Sequence, residues 1–214
     1  QAGVDKMKSL IQINPAQASE EVGELLKGKN KKNVDLVTSV AHVYLDAGKL
    51  TEAQEYLAMA KKADNKDPKV SVLEGDIALA QKNIGQACQL YEQAIYFDPN
   101  CKEAYLKYAQ AYKSASPALA IEKLEQLKAV APNCLEADRE LAEVYYSSNR
   151  FGKAAEMYAK FIDTPLATED DMLKYAFALF LNHDFEKSLQ VAQKGLQKNA
   201  RHAAFNRLVM YNNT

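Results

Sequence analysis

Small residues recur along this 214-residue chain at a fixed beat. Ala41, Gly75, Ala109, Ala142 and Ala176 are separated by 34, 34, 33 and 34 positions. A second series, Ala53, Ala87, Ala120, Ala154 and Ser188, keeps intervals of 34, 33, 34 and 34. The two series stay 11 or 12 residues apart. A period of this size marks stacked supersecondary units rather than one closed globule. Helix axes approach to about 8 Å only where short side chains sit at the crossing. Each pair of small residues therefore marks a point where two helices cross.

Larger residues keep the same beat. Tyr44, Ala78, Tyr112, Tyr145 and Leu179 follow the first small residue by three, and Leu57, Tyr91, Leu124, Tyr158 and Ala192 follow the second by four. Those offsets place each pair on one helical face. The pattern predicts an all-α array of antiparallel helix pairs, read as one solenoid over 1–214. Five full repeats span 34–67, 68–101, 102–134, 135–168 and 169–202. Residues 1–33 read as irregular N-terminal helices, one over 2–13 and one over 17–27 with Val22, Leu25 and Leu26 on one face. Residues 203–214 read as the first helix of a further unit, ending on Ala204, Phe205, Leu208 and Val209. That uncapped apolar end suggests a piece of a longer protein.

The turns carry their own chemistry. Gly48 stands where a helix C-terminus needs a left-handed residue. Ser147-Ser148-Asn149-Arg150 and Asn182-His183-Asp184 fill the same slot later, and the missing residue of the third unit falls there, at Ser114-Ala115-Ser116-Pro117. Asp98-Pro99-Asn100 and Ala131-Pro132-Asn133 close second helices, because Pro lacks an N–H and clashes with the preceding turn. Thr168-Glu169-Asp170-Asp171 reads as an N-cap with acids on the first turn.

A small residue three before Tyr, another nine after it, and a closing Asp-Pro-Asn together resemble the tetratricopeptide repeat, of the bacterial type. Tyr91 to Asn100 is similar to that family's second helix and exit turn, and the resemblance covers roughly residues 34–202. It implies a right-handed superhelix whose concave side, lined by first helices, binds a peptide or protein. Carried onto this chain, the inner positions are Thr38, His42 and Leu45, then Val72, Asp76 and Leu79, then Leu106, Lys107, Gln110 and Lys113. Arg139, Glu143 and Tyr146 follow, and then Lys174, Phe177 and Phe180. The peptide-binding set drawn from these is Lys107, Gln110, Lys113, Arg139, Glu143, Tyr146, Lys174 and Phe177, a mixed groove that is basic and amphipathic. One subset of the family grips a terminal carboxylate with Lys, Arg and Asn. This chain departs from that pattern, with Glu143 near Arg139 in place of Asn, and Val72 and Leu73 at inner positions.

Composition narrows the rest. The chain has 27 Lys and Arg against 28 Asp and Glu, a net charge of −1. Phosphate binding needs a basic surplus, so nucleic acid is not an expected partner. Docking on an anionic membrane is disfavoured for the same reason. No apolar run reaches the roughly 20 residues of a membrane span. The chain opens on Gln1 rather than Met, which leaves the compartment open between cytoplasm and periplasm. Cys88, Cys101 and Cys134 form no CxxC pair and read as structural thiols, Cys88 as a buried one beside Ala87.

Other motifs weigh little. Gly23 to Asn30 nearly spells a phosphate loop, but Asn30 stands where Ser or Thr must follow the Lys, and the segment reads as helix. Its plainer meaning is a helix end with Gly28 and a run of lysines at the negative dipole terminus. His42, His183 and His202 have no second ligand at metal spacing, and each reads as solvated or hydrogen-bonded. Tyr44, Tyr91, Tyr112, Tyr145 and Tyr158 fall on packing positions. Asn212-Asn213-Thr214 matches a glycosylation acceptor. The sequence thus points to a non-enzymatic interaction scaffold without cofactor or metal. Two other readings are a self-assembly module, with weak dimers through an exposed end at Phe205 and Leu208, and an RNA-binding helical repeat, which the charge disfavours.

Overall fold

A computed structural model describes residues 2–212, with side chains from residue 6 onward. Thirteen α-helices and one 3-10 helix make up its regular structure, and the described residues contain no strand. The first two helices, α1 (Ala2–Ile13) and α2 (Pro15–Leu25), precede the 3-10 helix at Gly28–Lys32. Next come α3 (Val34–Asp46), α4 (Leu50–Ala63), α5 (Pro68–Ala80), α6 (Ile84–Phe97), α7 (Lys102–Tyr112) and α8 (Pro117–Val130). The chain continues through α9 (Leu135–Ser147), α10 (Phe151–Phe161), α11 (Glu169–Leu181), α12 (Phe185–Lys198) and α13 (Ala203–Asn212). The helices α3, α5, α7, α9 and α11 begin at the residues where the periodicity starts each repeat. Among the described residues, no helix is long and apolar enough to cross a membrane. The chain divides into two compact units, one up to Ala111 and one from Tyr112 onward.

In the first unit, Ile11, Ala18 and Val22 join Val37, Ala41, Ala53, Ala60 and Leu73 in one core. The irregular N-terminal pair is thus packed on the first repeat, and its small Ala18 is fully buried like Ala41 and Ala53. Helix α2 starts two residues before the predicted boundary. Asn14 caps it by accepting from the Gln17 N–H, and Pro15 fills the first turn, where its missing donor costs nothing. The predicted face of Val22, Leu25 and Leu26 is correct for two of the three. Val22 and Leu26, four apart, are buried, while Leu25 is exposed, since one step along a helix turns a side chain by about 100°. Gly28 has φ +59, so it is the left-handed residue that leads into the 3-10 helix. Lys29, Lys31 and Lys32 lie within that 3-10 helix, just after the end of α2.

The second unit has its own core. Leu141, Ala142, Ala154, Tyr158 and Phe161 are buried in its earlier part. Met172, Ala176, Ala192, Phe205 and Leu208 form a cluster in its later part. This corrects the expectation of an exposed apolar end at Phe205 and Leu208. Both side chains are fully buried, and the Phe205 ring packs so closely on Gly195 that a Cβ there would sit 2.5 Å from it. The exposed large apolar residues of α13 are Met210 and Tyr211. The acceptor motif at Asn212 extends to Asn213 and Thr214, which lie outside the described residues. The cysteines form no disulfide among the described residues, with Cys88 and Cys134 buried and Cys101 half-buried. Tyr44, Tyr91, Tyr145 and Tyr158 are core residues, whereas Tyr112 is half-buried.

The turns repeat down to their hydrogen bonds. Gly48, Lys82, Asn149 and His183 all have positive φ, at 76°, 63°, 58° and 63°. In each turn the next residue donates its N–H five residues back, as in Lys49 to Tyr44, Asn83 to Ala78, Arg150 to Tyr145 and Asp184 to Leu179. The left-handed residue donates three back, to Leu45, Leu79, Tyr146 and Phe180. This pair of bonds satisfies carbonyls that a helix end leaves open. At the entrance to α11 the predicted cap is a full capping box, with Thr168 and Asp171 exchanging side-chain and backbone bonds.

Candidate functional site

Inner-position side chains of the first unit line two adjoining cavities of about 240 and 330 Å³ that share His42 as a wall. Asp35, Thr38, Lys69, Val72 and Glu103 line the smaller one. Leu45, Asp46, Asp76, Leu79, Ala80 and Lys107 line the larger. First helices α3, α5 and α7 supply all of these residues. They stand at positions that repeat once per unit, so neighbouring helices bring them together.

At the centre lies a carboxylate shared by three donors. The Asp76 side chain is only 9% exposed. One of its oxygens accepts the Tyr91 hydroxyl at 2.7 Å. The other lies 2.9 Å from His42 Nε2 and 2.8 Å from Lys107 Nζ. Lys107 also approaches Glu103 at 3.7 Å. Burial would push the Asp76 pKa up, but the His42 bond, the Lys107 charge and the Tyr91 hydroxyl outweigh it and hold the group below its ordinary value. Burial likewise would lower the His42 pKa, yet the bond and charge of Asp76 prevail over the opposing Lys107, and the net shift is upward. Burial, with the Asp76 charge beside it, pushes the Tyr91 hydroxyl far up, so it remains a donor. His42 Nδ1 lies 2.9 Å from the Thr38 carbonyl. Both ring nitrogens thus face acceptors, and only the imidazolium satisfies both.

The predicted site residues divide between the units. Lys107 and Gln110 belong to the first, where Lys107 is engaged by Asp76 and Gln110 is exposed. The second holds Lys113, Arg139, Glu143, Tyr146, Lys174 and Phe177. Of these, Glu143 and Lys174 meet, with Nζ 2.9 and 3.0 Å from the two carboxylate oxygens. Glu143 also accepts the Tyr158 hydroxyl at 2.9 Å, and Lys174 reaches Asp170 at 2.8 Å. Burial would lower the Lys174 pKa, but these two acids raise it. Arg139 holds Asp171, which is 1% exposed, through two bonds of 3.0 and 3.1 Å. Asp171 also completes the cap of α11. Replacing Arg139 would therefore disturb folding as well as any binding. Lys113 is half-buried. Tyr146 packs edge-on against Phe151 at 5.7 Å. Phe177 and Phe180 lie against the core formed with Phe205 and Leu208, and Phe180 also touches Phe185 and Tyr211. Among the described residues, no group of three or more His, Cys, Asp or Glu is placed to hold a metal ion.

His42, Asp76 and Lys107, expected at inner positions but not as partners, meet here. The signal was there, since His42 and Asp76 are 34 residues apart, one full repeat. Tyr91 fills the packing position expected of it, and its hydroxyl has a second role on Asp76.

A family model described as tetratricopeptide repeat matches residues 40–100 and 110–167. The chain belongs to the tetratricopeptide repeat family. No curated protein matches it in sequence. Among solved structures it is similar to PilW, titled a widely conserved type IV pilus biogenesis factor, at TM-score 0.71 and 17% identity, covering all of both chains. It is similar to PilF of Pseudomonas aeruginosa at TM-score 0.69 and 17% identity, covering 98% of this chain and 99% of that one. It is also similar to YrrB, titled a TPR protein with an unusual peptide-binding site, at TM-score 0.61 and 15% identity, covering 84% and 93%. At these identities the likeness is one of fold. Tetratricopeptide repeat proteins are protein-interaction scaffolds, and the family is generally non-enzymatic.

Proposed function

We propose that this tetratricopeptide repeat protein binds a peptide or protein segment along the inner faces of its first helices. The observation that carries the reading is the pair of adjoining cavities that share His42. They are concave, and they combine apolar Leu45 and Leu79 with a few fixed polar groups, the mixture that holds and orients a bound chain. The polar groups are preorganised, because Asp76 is held by three partners before anything binds. The YrrB structure, whose title names a peptide-binding site, lends support by analogy of fold. In the second unit we assign the same role to Tyr146 and Lys174, whereas Phe177 packs on the core of Phe205 and Leu208.

Site-specific photo-cross-linking tests this reading. A photoreactive residue at Leu79, on the inner side, should capture a partner from native extract. The same residue at Gln89, exposed on α6, should capture far less. Equal capture from both positions would refute the groove.

A further inference from the structure

The groove reading leaves the chemistry of the partner open, and the charges of the first unit bear on it. We propose that this groove accepts a cationic amphipathic segment, with Lys or Arg beside apolar side chains, and not an acidic tail. The proposal rests on the groove being a binding site at all.

Its cations are already engaged. Lys107 lies on Asp76, and Lys69 pairs with Asp35. An acidic ligand would have to draw Lys107 away from a carboxylate that is 9% exposed, which is costly because a buried charge loses its partner. The carboxylates are in surplus. Four of them, Asp35, Asp46, Asp76 and Glu103, line the two cavities against the ammonium groups of Lys69 and Lys107. That leaves an excess of two negative charges with His42 neutral, or one with it protonated. The surplus is local, since the whole chain carries a net charge of only −1.

Its position suits an amphipathic ligand. Glu103 and Asp35 are 56% and 68% exposed, so they stand at the open side of the smaller cavity. Asp46 is exposed beside the larger cavity, where Leu45, Leu79 and Ala80 supply apolar surface. A segment laying apolar side chains on the leucines would bring its flanking cations to these acids. Complementary rim charges add selectivity and speed of association more than raw affinity.

The test uses the whole chain and two labelled amphipathic peptides about four helical turns long. One is made of Leu and Lys and the other of Leu and Glu. Fluorescence polarisation should show the Leu/Lys peptide binding at least about fivefold more tightly, with the preference shrinking as salt screens the rim. The Asp46→Asn, Glu103→Gln double variant removes two exposed acids that do not hold Asp76, and it should lose most of that preference with its circular dichroism unchanged. Equal or tighter binding of the Leu/Glu peptide would overturn the cationic assignment and leave the groove standing. Selective binding that survives the double variant would place the contact elsewhere and also overturn it. Binding of neither peptide would remove the assignment, while cross-linking from Leu79 would separately decide the fate of the groove.

Discussion

His42 shows how one side chain joins two repeats. It accepts nothing, since both of its nitrogens face oxygen atoms, on Thr38 in its own helix and on Asp76 in α5. Its raised pKa means that the proton binds the folded state more tightly than the unfolded one. The stabilisation is therefore fully present below the ordinary value of 6.5 and is lost as pH rises through the folded value. Asp76 has the opposite sign. Its lowered pKa contributes stability above the ordinary value of 3.8 that is lost as pH falls through the folded value. Lys107 and Tyr91 face the same pair, and Glu103 stands beside Lys107. Urea denaturation should show the wild type losing about 1 kcal/mol more between pH 5.5 and 8.5 than His42→Gln does. Parallel pH profiles for the two proteins would refute the titrating link.

Each first helix must stop and reverse within three or four residues, and a left-handed residue makes this possible. Gly48 adopts the conformation freely, and Asn149 tolerates it. Lys82 and His183 bear a penalty, because a Cβ in this region crowds the following carbonyl. Lys82→Gly should therefore stabilise the protein by about 0.5–1 kcal/mol, and Gly48→Ala should destabilise it by about as much. Chemical denaturation of both variants checks the pair, and a destabilised Lys82→Gly would contradict it. The third repeat, one residue shorter, uses another solution. Ser116 donates directly to the Tyr112 carbonyl at 2.7 Å, and Pro117 opens α8 with its φ already set. The deletion removes the position that would have been left-handed.

Across the whole molecule a polar clamp recurs two repeats apart. In the first unit Asp76 is held by Tyr91 and Lys107, and in the second Glu143 is held by Tyr158 and Lys174. In both units the tyrosine lies 15 residues after the acid. The clamps differ by one methylene, and the neighbouring small residue differs with them, as Gly75-Asp76 against Ala142-Glu143. A Cβ on Gly75 would come within 2.5 Å of the Tyr91 ring. The shorter acid draws the phenol closer to its helix, and glycine leaves the room. Gly75→Ala should destabilise by about 1–3 kcal/mol despite the better helix propensity of alanine. Adding Asp76→Glu should recover part of that loss. A double-mutant cycle measures the coupling, and strict additivity would show that acid length does not set the packing.

The residue pattern by itself determined the helical repeat, the start of each first helix and the turns, because these follow from backbone geometry and from small residues recurring with the period. The capping box at Thr168 and the left-handed site at Gly48 were legible for the same reason, since each depends on a few neighbouring residues. Tertiary structure alone decided which charges are engaged. Lys107, Arg139 and Lys174 look like free groove cations in sequence, yet each is held by a carboxylate one helix away or more. It also decided that Phe205 and Leu208 are buried while Met210 and Tyr211 are not, and that the phenylalanines at 177 and 180 serve a core. The physical reason is reach. A helix period fixes the face on which a side chain stands, but an ion pair or a buried ring depends on the distance to the next helix and on which partner fills that space first.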